Sequence, residues 1–454
     1  MTTTVETVSD RRGEAPLTLD QPAPKVLGWL DQIGLWGNLG VTLLAPVGAV
    51  FVLVPGGLPQ LSFVAAGLAV VVGTVLGALL IGAAAVPGAQ TGAPAMVLMR
   101  GLFGRRLSYL PTLVNLVQLL GWTVFEIVVI STAAEQLLPW DAHRWPYVLV
   151  AGALTAAMTI RPLGAVRILR RFALGAVVVT TIYLFVELLR HHHSSFTHGS
   201  WSAFWAGADV AVAVAVSWAP LAADYSRHSV SSRSAFGGAV LGYSLTQIAG
   251  YFLGFLALAT VVRVSDGNLQ HDMFAAFIAV PVGWLAFGVL VLRELDESFA
   301  DGYSAVVSLQ NVWPRVDRRV FTAVICGSAT IGALVLNIAS YVNFLYLLAS
   351  VLVPLVAVFL VDYYSTGRLH GWDVSDDSPS RPVMLGPWLA GFVVYQLLNP
   401  GYIGWWERMW HHVDGWLHLT VQTWMSASVF SFVVAALLTA PIAWWRRRTL
   451  AATG

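Results

Sequence analysis

A helix that crosses a bilayer needs about 20 mostly apolar residues, because no water is there to satisfy its backbone. This sequence supplies such stretches one after another. Apolar segments separated by polar or Gly/Pro punctuation read as helices near 30–54, 61–87, 108–138, 146–160, 169–189, 203–222, 236–262, 274–309, 320–338, 341–363, 384–399 and 423–445. Only 11% of the residues are charged, and the mean hydropathy is +0.71. The expected fold class is therefore an all-α polytopic membrane protein with twelve spans, and a soluble globule is excluded.

Charge placement orients the chain. With the N-terminus inside, the segments on that side collect twenty of the 25 Lys and Arg residues, four fall outside, and Arg293 lies within a span. That asymmetry predicts cytoplasmic N- and C-termini in a cell (plasma) membrane. The polar first 25 residues read as a cytoplasmic tail rather than a signal peptide. The basic residues are dispersed among loops, so no nucleic-acid partner is expected. A single Cys326 excludes an intramolecular disulfide. His191, His192 and His193 are consecutive in an outside loop and read as a solvated tract, and no cofactor or metal is expected.

Four spans contradict their own apolar character. The first, D-Q-I-G-L-W-G-N-L-G-V-T-L-L-A-P, has Gly34, Gly37 and Gly40 around Asn38 before Pro46. It suits either close packing of a neighbour or an unwound segment that exposes carbonyls to an ion. The sixth carries Asp209 near its start, then Trp218 and Pro220. The proline removes an intrahelical donor and threatens the carbonyls near Val216 and Ser217. A kinked structural helix with an interfacial Trp is the plainer alternative. Interrupted helices at the first position of two successive five-helix blocks point to an inverted-repeat transporter with its site near the midplane.

The third span aligns Asn115, Gln118, Trp122 and Glu126 on one helix face. An amide, an indole and a carboxylate in one stripe read as a ligand wall; interhelical hydrogen bonding explains Asn115 and Gln118 but not Glu126. The eighth span, L-R-E-L-D-E-S-F-A-D-G-Y-S-A, buries Arg293, Glu294, Asp296, Glu297 and Asp301 between apolar flanks. Each central charge costs about 2.5–3.5 kcal/mol on insertion scales, so these groups must pair, protonate or line water. Helical spacing lets Arg293 pair with Asp296 or Glu297, which leaves Asp301 over.

From about Leu27 to Arg368 the chain resembles the nucleobase:cation symporter-1 family, the purine-cytosine permease and hydroxymethylpyrimidine transporter group. The markers are W-G-N-x-G in the first span, T-G-A-P-A-M-V-L-M-R-G-L-F-G before the third, N-L-V-Q-L-L-G-W within it, S-W-A-P-L-A-A-D-Y-S-R closing the sixth, F-A-D-G-Y-S-A in the eighth and V-D-Y-Y after the tenth. The third-span motif, the acid nine residues before Trp218 and the eighth-span motif lean toward the hydroxymethylpyrimidine branch.

The resemblance implies a leucine-transporter-like 5+5 inverted repeat plus two C-terminal helices. Residues 1–26 would be a tail, 27–190 the first repeat, 200–366 the second, 367–383 a cytoplasmic loop, 384–446 the last two helices and 447–454 a second tail. It implies a secondary transporter, not an enzyme, that imports a planar heterocycle by cation-coupled alternating access. Trp122 would stack on the ring, Glu126 and Asp301 would hydrogen-bond it, and Trp218, Asn38 and Gln118 would complete the site. Gly37, Gly40, Asp296 and Arg293 form the cation-coupling group. Sodium-coupled relatives place small and hydroxyl residues five to nine positions before the residue matching Asp301, where this chain has Leu292, Leu295 and Asp296. Protons are accordingly favoured over sodium. The partners are the substrate and the bilayer, and a monomer is expected. An amino acid or other zwitterion carried on the same fold is the alternative substrate class, and an intramembrane enzyme or receptor a third reading.

Overall fold

Each apolar stretch is helical, and the departures from the expected pattern fall at prolines, glycines and charge clusters. The computed structural model describes residues 24–453 apart from 57, 140–142, 161, 192–196, 261–268, 313–315, 367–371 and 376. The helices are α1 Trp29–Leu39, α2 Leu44–Leu53, α3 Phe63–Thr91, α4 Ala95–Phe103, α5 Tyr109–Leu137, α6 Trp145–Ile160, α7 Pro162–Arg190, α8 Phe204–Val216, α9 Ala222–Ser226, α10 Ser232–Thr260, α11 Leu269–Ala279, α12 Gly283–Val312, α13 Arg318–Val335, α14 Tyr341–Ser365, α15 Leu385–Leu398, α16 Gly404–Leu417 and α17 Ala427–Thr453. Among the described residues, six spans are long and apolar enough to cross a membrane, and the α1–α2 pair, bent by 66°, makes a seventh. The 30-residue α12 is long enough but carries its charges mid-helix.

Several segments differ from the sequence reading. The predicted eighth helix is two, because Pro281 has no amide to donate and Val282 takes φ 55°, so α11 stops before α12 begins. The Trp-rich loop after the eleventh span forms α16, whose buried Trp410 and Asp414 lie one turn apart. The amphipathic connection after α3 contains α4. The last helix continues through Arg446, Arg447 and Arg448 to Thr453, past the expected end at 445.

The first span does break, at residues 40–43. Pro46 lies in the first turn of α2, where its missing N–H would have had no intrahelical partner anyway. The sixth span stays nearly continuous instead of unwinding. Pro220 is absorbed by a 3₁₀ turn, Ala219–Leu221, between α8 and α9.

Packing divides most of the bundle into two units. Helices α1–α2, α3, α8–α9 and α10 pack chiefly on one another, as do α5, α6, α12 and α13, while α14, α15 and α17 form a third group. Small residues permit the closest approaches in the first unit: a Cβ on Gly242 of α10 would lie 2.5 Å from the Ile33 carbonyl of α1. One end of the bundle is tied where Val26 and Leu27 amides donate to the His228 carbonyl (both 2.9 Å) and where Ala95 N donates to Asp224 (2.8 Å). The other end is tied by Leu61 to Ser200 and by Tyr402 Oη to the Gly56 carbonyl (3.0 Å).

Candidate functional site

Polar links cross between the two units at the two helix interruptions. At the sixth span, Gln118 Nε2 of α5 donates to the Ser217 carbonyl at 3.1 Å and to Asn115 Oδ1 at 2.8 Å. Thus Gln118 supplies the donor that Pro220 removes, and Trp218, the next residue, comes to the level of the α5 stripe. Trp218 packs partly buried against a cluster that includes Leu119, Leu221, Ala305 and Val306.

One turn along α5 from Gln118, Trp122 makes edge contacts with Tyr341 and Phe344 of α14, ring centroids 6.0 and 5.3 Å away. A turn further, Glu126 is buried, and the buried Asp301 carboxyl of α12 lies close enough to it for the two groups to interact. Two carboxylates buried side by side repel, so a proton or a ligand donor between them relieves the site. Glu126 Oε2, Gln118 Oε1 and the Tyr341 hydroxyl are buried with no hydrogen-bond partner among the described residues. Gln118 and Glu126 lie about 12 Å apart along the helix, with the indole of Trp122 between them. This wall offers a flat ring one aromatic partner and several waiting polar atoms.

At the break in the first span, α12 presents two consecutive charged side chains. Glu294, fully buried, accepts from Thr42 Oγ1 at 2.6 Å and from Leu43 N at 2.8 Å, just before α2 begins. Arg293 Nη2 donates to the Asn38 carbonyl at 3.1 Å and to Asn38 Oδ1 at 3.4 Å, at the end of α1. The same guanidinium pairs with Glu297, and its Nη1 lies 3.5 Å from Asp296 Oδ2.

Of the residues singled out from sequence, Trp122, Glu126, Asp301, Gln118 and Trp218 therefore surround the α5 stripe. Asn38 instead joins Arg293 and Asp296. Gly37 and Gly40 face α10, where a Cβ on Gly37 would meet the Gly242 carbonyl at 3.6 Å and one on Gly40 the Tyr243 carbonyl at 3.1 Å. Their close-packing role is visible, and among the described residues no side chain hydrogen-bonds their carbonyls.

Sequence reasoning named Glu294 only among the charges of the eighth span, without its partner, and passed over Phe344 and Tyr341. The Thr42–Pro46 segment carried a signal for Glu294, since a hydroxyl residue followed by Pro in a first turn marks a helix start that needs an acceptor. Phe344 and Tyr341 carried none, being ordinary apolar-span aromatics until α14 packs on α5. Asp209 turns away from this site and caps α17. His191 is exposed, and His192 and His193 lie outside the described residues.

The geometry agrees with what comparisons find. Two structures of Mhp1, a nucleobase-cation-symport-1 family transporter, share the fold. The closed conformation with bromovinylhydantoin bound has a TM-score of 0.69 at 16% identity, covering 96% of this chain and 97% of that one. The inward-facing conformation has a TM-score of 0.73 at 15% identity, covering 97% and 95%. An Eremococcus coleocola manganese transporter, in complex with an aromatic bis-isothiourea substituted compound, has a TM-score of 0.52 at 13% identity, covering 96% and 100%. No curated protein sequence matches the chain. The model of the permeases for cytosine/purines, uracil, thiamine and allantoin matches residues 33–373. A match over that much of the chain shows the family: this protein belongs to the permeases for cytosine/purines, uracil, thiamine and allantoin.

Proposed function

We propose that this permease imports a small planar nitrogen heterocycle, such as cytosine, a purine or hydroxymethylpyrimidine, and couples its uptake to protons. The ring stacks on Trp122, with Trp218 as the second aromatic wall, and its N–H groups reach Glu126, Asp301 and Gln118. The observation that carries this reading is the carboxyl pair Glu126–Asp301, buried beside Trp122 with Glu126 Oε2 left over as an acceptor. A shared proton in a substrate site is the simplest coupling device: its loss or gain changes what the pair can donate to the ring.

The architecture proposed with it is twelve spans in two inverted five-helix repeats plus two, acting as a monomer, with both chain ends in the cytoplasm. The division into two packed units, linked through the interrupted spans, supports alternating access. The bulk of the site's polar atoms lie on that seam.

The experiment is uptake of labelled cytosine, adenine, uracil, hypoxanthine and hydroxymethylpyrimidine into cells expressing the chain. At least one should be taken up saturably, and Trp122→Ala should abolish that uptake. Absence of uptake for every heterocycle would overturn the substrate assignment. Proteoliposomes with an imposed pH gradient, and separately an imposed sodium gradient, then identify the driving ion.

A further inference from the structure

Sodium coupling through the interrupted first span needs free carbonyl oxygens at the end of α1 and hydroxyl or carboxylate oxygens facing them from α12. At Asn38 the residues present do not fit it. The Asn38 carbonyl already takes the guanidinium of Arg293 at 3.1 Å, and the Asn38 side-chain oxygen lies 3.4 Å from the same nitrogen. Arg293 is itself buried, at 5% exposure, and held from behind by Glu297 and Asp296. A second cation at that carbonyl would have to sit against a fixed positive charge. The opposite pole is closed as well. The donors that open α2, Thr42 Oγ1 and Leu43 N, are both spent on Glu294, and Leu44 N is spent on Thr42 Oγ1 at 3.0 Å.

We infer that the Arg293–Glu294 pair of α12 serves as a built-in cation and anion for the broken first span. The arginine neutralises the negative, carbonyl end of α1, and the glutamate neutralises the positive, amide end of α2. Being neighbours in sequence on one helix, they hold both half-helices against the second unit without any dissolved ion. Two consequences follow: the fold is complete in the absence of sodium, and the amide end of α2 has no donors left for the carboxylate of a zwitterionic substrate. A cavity of about 490 Å³, lined by Thr42, Leu43, Leu290, Arg293 and Glu294 among apolar side chains of α7 and α10, adjoins the pair. Truncating Arg293 therefore opens a space that a small cation can reach.

The test uses the purified full-length protein and needs no knowledge of the heterocycle, so it succeeds or fails independently of the substrate reading. Thermal unfolding is followed in sodium, potassium and guanidinium chlorides at matched ionic strength and at guanidinium concentrations well below denaturing. The wild type should show no sodium-specific shift. Arg293→Ala should unfold at lower temperature and regain about 2 °C or more, saturably, with guanidinium or sodium but not with potassium. A saturable sodium-specific stabilisation of the wild type overturns the inference. So does an Arg293→Ala protein that folds and responds to neither cation. If Arg293→Ala does not fold, the wild-type sodium titration decides alone.

Discussion

Ser426 Oγ donates to Asp209 Oδ1 at 2.6 Å, joining the start of α17 to a carboxylate on α8 more than two hundred residues earlier in the chain. The Ala427 and Ser428 amides also donate to Asp209, at 2.8 and 3.3 Å, so this buried acid is the N-terminal cap of α17. Asp209→Ala removes a cap and strands buried donors, which should cost about 2–3 kcal/mol. The expected outcome is a lower unfolding temperature, with Asp209→Asn recovering part of the loss and substrate affinity unchanged in either variant.

The Glu126–Asp301 pair predicts a split between binding and coupling. Glu126→Gln keeps a polar side chain beside Asp301 but removes one protonatable group from the site. Transport into proteoliposomes should then lose its stimulation by an imposed pH gradient while counterflow of substrate persists. Unchanged stimulation in both Glu126→Gln and Asp301→Asn would place the coupling proton elsewhere.

Helix contact in the first unit is set by backbone. At Gly242 an added Cβ would lie 2.5 Å from the Ile33 carbonyl and 2.9 Å from Gly37 N, neither of which can rotate away. Gly242→Ala should destabilise the protein by about 1–3 kcal/mol through overpacking of α1 on α10. Its signature is reduced yield and a lowered unfolding temperature, where Gly327→Ala, with open space at the Cβ, leaves both unchanged.

At the end of α14, fully buried Asp362 accepts two parallel bonds from Arg381, both 2.9 Å, with Trp372 Nε1 at 2.7 Å and Arg446 at 3.3 Å. This node ties α14, the loop before α15 and α17 together. Removing Arg381 leaves Asp362 inadequately compensated, so Arg381→Ala should cost about 3–5 kcal/mol. Arg381→Lys should recover little, since an ammonium cannot reproduce the fork.

His228 gives a pH dependence. Arg227 Nε approaches His228 Nε2 at 3.3 Å and His228 Nδ1 faces the Pro24 carbonyl at 3.1 Å, the pattern of a neutral ring protonated on Nδ1. Burial pushes its pKa below the ordinary 6.5, outweighing the Pro24 carbonyl, while Arg227 lowers it further. A depressed histidine pKa means that the folded state favours the neutral form. Its contribution is present above pH 6.5 and is lost as pH falls through the folded value. Unfolding temperature should drop on acidification in that range, and His228→Gln should flatten the drop.

The sequence by itself determined that this chain is a membrane helix bundle, because apolar stretches of spanning length allow no other solution. It also determined the stripe Asn115, Gln118, Trp122 and Glu126, since helical period alone puts residues three and four apart on one face. The anomalous charges of the eighth span were equally legible, as was the interruption at Asn38. Only the tertiary structure decided which partners those groups take. Arg293 reaches Asn38, Glu294 reaches Thr42 and Gln118 reaches Ser217 across a seam between units, and Asp209 turns to Ser426 instead of the site. The physical reason is that a buried polar group must find a partner, and sequence shows the need without showing which distant segment packing brings within 3 Å.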